Sequence, residues 1–340
     1  MEKDQACLRA GHGYVHLLHM REAGGTSLLE VLLEKDGDSS ITENRPPLKL
    51  FHSEGLTFNI SCFTEGGSMV HITSLRNPID RLVSSYWREG RYATYPGIAE
   101  GEAAGETEAG HQSAIEKHVE IFRSQYLQEP VHFKAYVQGL QEQYMQDTEL
   151  LRTNQVWEGV DNFYVKTLTN RYRPNTTAPV DEEDLALAKR ILDNIDVLLI
   201  TEWMDSEDES YKEEGKGQLE LANYILGVDV AAFPRAHDKT LSLQQPLREI
   251  DSDTVAYLED LNKYDMELYK YAQELLQSRI AGLRALQRQQ AGAGGKLQAP
   301  LSPDMDTCRE MPAEGVVLSD VQLYTLSVPV CMLPHRDLVE

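Results

Sequence analysis

Short apolar segments alternate with amphipathic helical patterns along this chain, and no other feature constrains its fold as strongly. An apolar run at 13–20 is followed by a turn of small residues at 23–25 and by a helical pattern that extends to about Lys35. A second apolar run at 69–75 is followed by a helix that begins near Pro78. Strands that alternate with helices predict an α/β fold in three layers, α/β/α, with a central parallel sheet covered on both faces.

The same periodicities predict the remaining elements. A strand is expected at 48–52 or at 56–61, and another short buried strand is expected at 197–201. Further helices are predicted over roughly 78–89, 113–127, 132–146, 181–195, 216–226 and 251–276.

These elements form one predicted domain, which spans 13–276 and follows a short N-terminal lead at 1–12. Within this domain the segment 93–112 is acidic, rich in small residues and aperiodic, which is typical of a mobile surface insertion. Beyond Gln277 the chain turns to Ala, Gln and Gly and then loses all periodicity. The tail 277–340 is therefore predicted to be poorly ordered.

The balance of charge excludes several classes of partner. A net charge of −23 over 340 residues argues against nucleic acid, whose phosphates select basic surfaces, and against adhesion to anionic membranes. No apolar run reaches the ~20 residues that a membrane-spanning helix needs, and the first residues lack the pattern of a signal peptide. The four cysteines form no CxxC pair, so neither a zinc site nor a disulfide framework is indicated.

The turn after the first apolar run has the features of a phosphate-binding loop. Gly24 and Gly25 allow close approach of the backbone, and Thr26 and Ser27 add hydroxyl donors at the start of a helix. The turn lacks both the GxxxxGK[ST] spacing of nucleotide hydrolases and the GxGxxG dinucleotide fingerprint. It is interpreted either as an anion site or as an ordinary connection between a strand and a helix.

A second candidate anion site follows the apolar run at 69–75. Arg76 stands where that strand ends, at the sheet edge where α/β proteins bind ligands, and its guanidinium can bind a phosphate through two hydrogen bonds. Ser84 lies two turns into the next helix and can add a hydroxyl donor. The alternative is that Arg76 caps a turn and Ser84 is an ordinary helical serine. Taken together, the two loops predict one crevice with two anion sites.

Two segments resemble motifs of the Golgi carbohydrate sulfotransferases. The segment 19–28, HMREAGGTSL, is similar to the loop that binds the 5′-phosphosulfate of their donor, and 75–86, LRNPIDRLVSSY, is similar to their 3′-phosphate motif. The second match is closest to the branch of uronyl and heparan 2-O-sulfotransferases. Weaker similarities occur, in family order, at 162–168, 199–202 and 264–269.

This resemblance implies a P-loop-like sulfotransferase fold and the donor 3′-phosphoadenosine 5′-phosphosulfate (PAPS), with no metal. Lys166 matches a basic position of the family that contacts donor or glycan, and its alternative is a solvated lysine. The residues that the resemblance assigns to the donor are Gly24, Gly25, Thr26 and Ser27 on the 5′ side and Arg76 and Ser84 at the 3′-phosphate.

One position departs from the family pattern. The family usually has a lysine just before the small residue and the glycine pair of the first loop, where it bridges the leaving phosphate and the sulfuryl group; this chain has Glu22. A carboxylate beside a polyanionic donor repels it. Either the adjacent Arg21 supplies the missing positive charge, or the chain is a weak or inactive relative that binds a nucleotide or a glycan.

The implied reaction is in-line transfer of a sulfuryl group from PAPS to a sugar hydroxyl, which needs a base for the hydroxyl proton. His52 is the first candidate, because it precedes the 3′-phosphate motif as a catalytic histidine does in the 2-O branch and because imidazole titrates near neutral pH. Glu54 is the second candidate, and a surface turn is the alternative place for His52. His16 and His19 are expected to pack in the core.

The sequence thus predicts a PAPS-dependent carbohydrate O-sulfotransferase, with the inactive binding protein as its alternative. A P-loop-like kinase is disfavoured, because the first loop lacks the lysine of that class. The negative charge favours a neutral or lightly charged glycan as acceptor. Five arginines offer a local positive groove: Arg81, Arg88, Arg91, Arg171 and Arg173.

The resemblance implies a location in the Golgi lumen or membrane. Because no signal or anchor segment is visible in the sequence, two expectations stay open. Either the N-terminus is incomplete, or the protein is soluble and cytoplasmic.

Overall fold

The structure is a computed structural model that describes part of the chain. The described residues are 14–25, 27–29, 32, 49–54, 69–85, 161–169, 171, 179–204, 211–227, 250, 252–292, 315–318 and 321–324. Several predicted features lie outside them: the lead 1–12, Thr26, the strand position 56–61, the acidic insertion 93–112 and the helices at 113–127 and 132–146.

In the part of the chain that the structure describes, six strands form one sheet, and most of its pairs are parallel. The strands are β1 (Tyr14–His19), β2 (Lys49–Glu54), β3 (Met69–Leu75), β4 (Val197–Ile200), β5 (Gly315–Leu318) and β6 (Val321–Tyr324). Their order in the sheet is β4-β3-β1-β2-β6-β5. All neighbours pair in parallel except β5 and β6, which form an antiparallel pair.

The chain is therefore a mixed α/β protein, as the alternation of strand and helix patterns predicted. β3 and β4 are buried at every position, which explains why both read in the sequence as continuous apolar runs. β1 lies between β2 and β3. This position brings the loop that follows β1 close to the residues that follow its two neighbours.

Two of the helices begin at a side chain that caps their first turn. Asn77 caps the first of them by accepting the Ile79 N–H through Oδ1 at 2.9 Å. Asp181 caps another in a reciprocal capping box with Asp184. The helices are α1 (residues 78–85), α2 (Phe163–Leu168), α3 (Glu182–Asp193), α4 (Thr201–Met204), α5 (Lys212–Leu226), α6 (Ser252–Leu261) and α7 (Lys263–Gly292), and a further helical segment begins at Gly25.

α7 organises the helical side of the core. It packs against α2, α3 and α5 and contacts β4. Leu268, Ala272 and Leu276 on α7 are fully buried, and they join one cluster with the apolar side chains of β1, β3 and β4. Among the described residues, no helix combines the length and the apolar character that crossing a bilayer requires.

The C-terminal boundary differs from the prediction. The expected end of the domain at 276 lies inside α7, which continues to Gly292. Ile280 and Leu283 are buried and extend the stripe of Leu276 at helical spacing, but the polar and small residues around them obscured this stripe in the sequence. The predicted tail also supplies β5 and β6 to the sheet.

Candidate functional site

Both predicted anion loops lie at the same edge of the sheet. β1 and β3 are parallel neighbours, with Leu18 opposite Thr73 in the register. The turn that follows β1 and the residues Arg76 and Asn77 that follow β3 therefore leave the sheet side by side. This edge is the carboxyl end of the parallel strands, where open α/β sheets bind their ligands.

The loop after β1 contains two residues with a left-handed backbone. Glu22 has a φ of 58° and Gly24 has a φ of 84°. Glycine adopts such a conformation freely, whereas a residue with a Cβ is disfavoured there by about 1–2 kcal/mol. Glu22 therefore holds a strained conformation, and strain of this kind clusters at ligand-binding and catalytic sites.

Gly25 is required because His19 approaches it closely. A Cβ on Gly25 would lie 2.0 Å from Cδ2 of His19, so the imidazole lies against the loop. His19 was predicted to pack in the core, but it is only half-buried. His16 is buried as predicted, and its Nδ1 lies 3.3 Å from Nδ1 of His71. Ser27, in the helical segment after the loop, is also buried.

The two residues predicted to hold the second anion both contact the first loop. Ser84 donates a hydrogen bond from Oγ to Oε2 of Glu22 at 2.8 Å. Arg76 donates from Nη1 to the backbone oxygen of Glu22 at 3.4 Å. The structure thus brings Arg76, Ser84 and the first loop together, with the carboxylate of Glu22 on the serine hydroxyl.

A further carboxyl group lies within electrostatic reach of Arg76. Burial raises the pKa of Asp80 to about 6, while the charge of Arg76 lowers this pKa and the charge of Glu202 raises it. The charge of Arg76 thus acts on the Asp80 carboxyl as well as on the first loop.

Thr201, at the end of β4, holds the backbones of both loops. Its Oγ1 lies 2.7 Å from the carbonyl oxygen of Ala23 and 3.1 Å from that of Leu75, within donor distance of each. A Cβ on Gly24 would lie 3.4 Å from the same Oγ1. The hydroxyl has one hydrogen, so it donates to one carbonyl at a time, the nearer being that of Ala23, while it lies between the two loops.

Glu202 and two tyrosines support the second loop. Glu202 accepts the Asn77 N–H through Oε1 and the Tyr269 hydroxyl through Oε2, both at 2.7 Å. The Tyr164 hydroxyl accepts the Arg76 N–H and donates to the Arg76 carbonyl, each at 3.0 Å. Burial raises the pKa of Tyr164 well above its usual range, so this hydroxyl keeps its proton. The backbone of Arg76 and Asn77 is therefore fixed independently of any ligand.

Behind the loops, the N-termini of α2 and α7 cap each other. The buried carboxylate of Asp265 accepts the N–H groups of Tyr164 and Val165 at 2.8 and 2.9 Å. Oδ1 of Asn162 accepts the N–H groups of Tyr264 and Asp265 at 3.0 and 3.2 Å. Burial raises the pKa of Asp265 to about 6, although the two backbone N–H groups, Arg81 and Lys166 lower it. We call this arrangement the α2–α7 junction.

The arginines expected to line an open groove have other roles where they are described. Arg81 is fully buried, and its guanidinium carbon lies 4.2 Å from the ring centroid of Phe163 and 5.7 Å from that of Tyr164. Arg171 pairs with Asp184 at 2.7 Å. The groove prediction is therefore wrong for these two residues, because both are used within the fold. Arg88, Arg91 and Arg173 lie outside the described residues.

Lys166 belongs to the α2–α7 junction. It is only 5% exposed, so it is not the solvated lysine of the alternative interpretation. Its ammonium forms an ion pair with Asp161, and its charge lowers the pKa of Asp265. Lys166 thus stabilises the helix ends behind the crevice.

The candidate bases lie on β2, next to β1. The register sets His52 opposite Leu17 and Glu54 opposite His19, so Glu54 is at the carboxyl edge beside the first loop. The structure describes the backbone of His52 and Glu54 but not their side chains, and their catalytic roles stay predictions. Arg21 is half-buried in the turn that precedes Glu22, and its role as a substitute cation also stays a prediction.

Four residues that support the crevice have no role predicted from the sequence: Thr201, Glu202, Tyr164 and Asp265. All four lie in segments with weak family similarity, at 162–168, 199–202 and 264–269. That similarity was the available signal, since a threonine, a glutamate or a tyrosine alone does not identify a structural hydrogen bond.

In chemical terms, this edge of the sheet offers a guanidinium and a serine hydroxyl as donors to an anion. Within the described part of the chain, no group of acidic, histidine or cysteine side chains is arranged to hold a metal ion. No protein-family model matches the chain, and no curated protein matches it at a significant level.

Proposed function

We propose that this chain is a PAPS-dependent carbohydrate O-sulfotransferase with a three-layer, P-loop-like sulfotransferase fold. One observation carries the proposal: Arg76 and Ser84, the candidate ligands of the 3′-phosphate, both contact the candidate loop for the 5′-phosphosulfate. A crevice with two adjacent groups of anion ligands suits a donor that carries phosphates on the 3′ and 5′ positions of one ribose.

In this proposal the first loop binds the 5′ end of the donor and the second binds the 3′-phosphate. The left-handed Gly24 and the closely packed Gly25 support a bare backbone at the 5′ side, as a phosphate cradle requires. We leave Lys166 out of the donor site, because its ammonium is paired with Asp161. The proposed donor ligands are Gly24, Gly25, Thr26, Ser27, Arg76 and Ser84.

The proposed chemistry is a direct displacement at sulfur. A sugar hydroxyl oxygen attacks the sulfur atom, the bond from sulfur to the 5′-phosphate oxygen breaks, and adenosine 3′,5′-bisphosphate leaves. The hydroxyl proton passes to a base, for which His52 is the first candidate and Glu54 the second. Both residues belong to β2, the strand beside β1.

The acceptor and the compartment follow from charge and from family resemblance. A chain with a net charge of −23 repels highly sulfated glycans, so we propose a neutral or lightly charged sugar as the acceptor. Sulfotransferases of the resembling type act in the Golgi, and we propose the same compartment here.

One observation favours a second candidate function, nucleotide binding without turnover. The carboxylate oxygen of Glu22 lies 2.8 Å from Ser84 Oγ. It therefore occupies the position that a phosphate of the donor would take on this serine. A carboxylate at this loop opposes the negative charge that develops on the leaving phosphate. A chain that retains the crevice but lacks the lysine would bind the donor product and transfer sulfate slowly or not at all.

Transfer of radiolabelled sulfate from PAPS to a panel of neutral and sulfated glycans tests the proposal. We expect transfer to a neutral glycan and a loss of about tenfold or more in Arg76→Ala, since a charge-assisted hydrogen bond contributes about 1.5–3 kcal/mol. Arg190→Ala, which removes an exposed arginine from α3, is the matched control and should keep full activity. Binding of adenosine 3′,5′-bisphosphate without transfer would favour the second candidate, and preferential binding of ATP would contradict both.

A further inference from the structure

Glu22 occupies the groups that the proposed donor would use. Its Oε2 accepts the hydrogen bond from Ser84 at 2.8 Å, and its carbonyl oxygen accepts one from Arg76 at 3.4 Å. We propose, on the basis of the function proposed above, that the Glu22 carboxylate is an internal competitor of the donor. It mimics the phosphate on Ser84, sets the affinity for the donor, and leaves the serine when the donor binds.

The competition follows from the chemistry of the serine hydroxyl. A hydroxyl has one hydrogen to donate, so Ser84 cannot donate to the Glu22 carboxylate and to a phosphate oxygen at the same time. The carboxylate and the phosphate also carry like charges, which repel strongly in a crevice that is partly shielded from water. Binding of the phosphate therefore requires the carboxylate to move away.

The carboxylate of Glu22 can leave Ser84 by rotation about the bonds of its own side chain, so the backbone need not change. The Glu22 backbone keeps its φ of 58° while its carbonyl oxygen accepts from Arg76. The next residues are fixed, because the Ala23 oxygen accepts from Thr201 and the Leu28 N–H donates to the Gly24 oxygen. The competitor can thus leave while the rest of the loop keeps its shape.

Calorimetric titration of the full chain with adenosine 3′,5′-bisphosphate tests this inference. Glu22→Ala should bind the nucleotide about tenfold more tightly or better, and Glu22→Gln, which removes the charge but keeps the volume, should lie between Glu22→Ala and wild type. Ser84→Ala should lower the affinity by about fivefold or more in the Glu22→Ala background, and by clearly less in the wild type, where the serine exchanges one acceptor for another. Glu259→Ala, which removes an exposed glutamate from α6, is the control for net charge and should bind as wild type does.

The outcomes separate this inference from the proposed function. Equal affinity in wild type and Glu22→Ala, or the same effect of Ser84→Ala in both backgrounds, would overturn the competitor and leave the function intact. Inorganic pyrophosphate is the second probe. If Glu22→Ala gains affinity for pyrophosphate but shows no preference for the bisphosphate nucleotide, the competitor is supported and the PAPS assignment fails. If no variant binds either anion, both are overturned.

Discussion

Two residues other than glycine adopt a left-handed backbone in the described part of the chain, and their surroundings differ. Asn162 has a φ of 47° and Glu22 a φ of 58°. Asparagine tolerates this region because its short side chain forms local hydrogen bonds, whereas glutamate has no such advantage. At one position the strained residue stabilises the fold, and at the other it lies beside a candidate ligand site.

At the α2–α7 junction, the strain of Asn162 is compensated by its side chain. Oδ1 accepts the Tyr264 and Asp265 N–H groups, and Nδ2 donates to the Leu261 carbonyl at 3.0 Å. Its backbone N–H also donates to Asn262 at 3.0 Å. Helix termini that would otherwise be unsatisfied are capped, so this left-handed residue has a structural purpose.

At the crevice, the side chain of Glu22 contacts a residue that is a candidate to bind the donor, instead of a helix end. Its carboxylate binds Ser84, and its carbonyl binds Arg76. The same backbone conformation thus stabilises the protein at one site and holds a carboxylate over a candidate binding surface at the other. Substitutions at Glu22 and Asn162 test this distinction.

The largest effect is expected at the junction. Asn162→Ala removes the acceptor of two N–H groups and a donor, and it should lower the free energy of unfolding by about 2–4 kcal/mol. Urea denaturation measures the loss. Gln277→Ala, at an exposed amide side chain of α7, is the matched control and should change stability by less than about 0.5 kcal/mol. Equal losses in the two variants would refute the structural purpose of Asn162.

A reversal of charge at Glu22 should act on catalysis. Glu22→Lys replaces the repelling carboxylate with the cation that the resembling family uses. The rate at saturating PAPS should therefore rise by about tenfold or more, which corresponds to a barrier lower by about 1.4 kcal/mol. Arg21→Ala should abolish the activity of the native chain if Arg21 is the substitute cation. The assay is sulfate transfer to the glycan panel. A native enzyme that is unaffected by Arg21→Ala and slowed by Glu22→Lys would show that the loop is misaligned with the family motif.

The third test compares glycine at the two left-handed positions. Glu22→Gly relieves backbone strain but adds freedom to the unfolded chain, so the free energy of unfolding should change by less than about 1 kcal/mol. Asn162→Gly keeps the favoured φ but removes the caps, so it should cost about 2 kcal/mol or more. Thermal or urea unfolding decides, and similar losses at the two sites would contradict the comparison.

The smallest effect concerns pH. Burial raises the pKa of Asp80 to about 6, so between about pH 4 and pH 6 the folded protein binds more protons at this carboxyl than the unfolded chain does. The stability of wild type relative to Asp80→Asn should therefore fall as pH rises through this window and then level off. Denaturation of both proteins at several pH values measures the difference.

Asp181 provides the opposite control for that measurement. Backbone N–H donation from Asp184 lowers the pKa of Asp181 below its usual value. The stability of wild type relative to Asp181→Asn should therefore stay level above about pH 5 and fall as the pH drops below that value. If stability depended on pH with the same sign at both residues, the raised pKa of Asp80 would be contradicted.

The sequence predicted the parts of this site that local pattern encodes. A strand run, a glycine pair and an arginine at a strand end located the two loops, because parallel neighbours bring their carboxyl ends to one edge. It could not predict the contacts that cross between distant segments. Glu22 and Ser84 are 62 residues apart, and Tyr164 and Asp265 are 101 apart, so their pairing depends on packing alone.

The error at the C-terminus has a similar origin. The last turns of α7 contain few apolar residues, and only their burial beneath neighbouring elements shows that Ile280 and Leu283 belong to the core. β5 and β6 are four residues each, too short for a periodicity of two to stand out from the surrounding sequence. Local patterns identify an element poorly when its stability comes from its neighbours.

In the proposed function, Arg76 recognises the 3′-phosphate of a donor bound between the two loops. The most direct test is the affinity of wild type and Arg76→Ala for adenosine 3′,5′-bisphosphate and for adenosine 5′-monophosphate, measured by calorimetry. We predict that wild type prefers the bisphosphate by about tenfold or more and that Arg76→Ala loses this preference while it keeps the weaker affinity for the monophosphate. Equal affinity of wild type for the two nucleotides, or a preference that persists in Arg76→Ala, would contradict the claim.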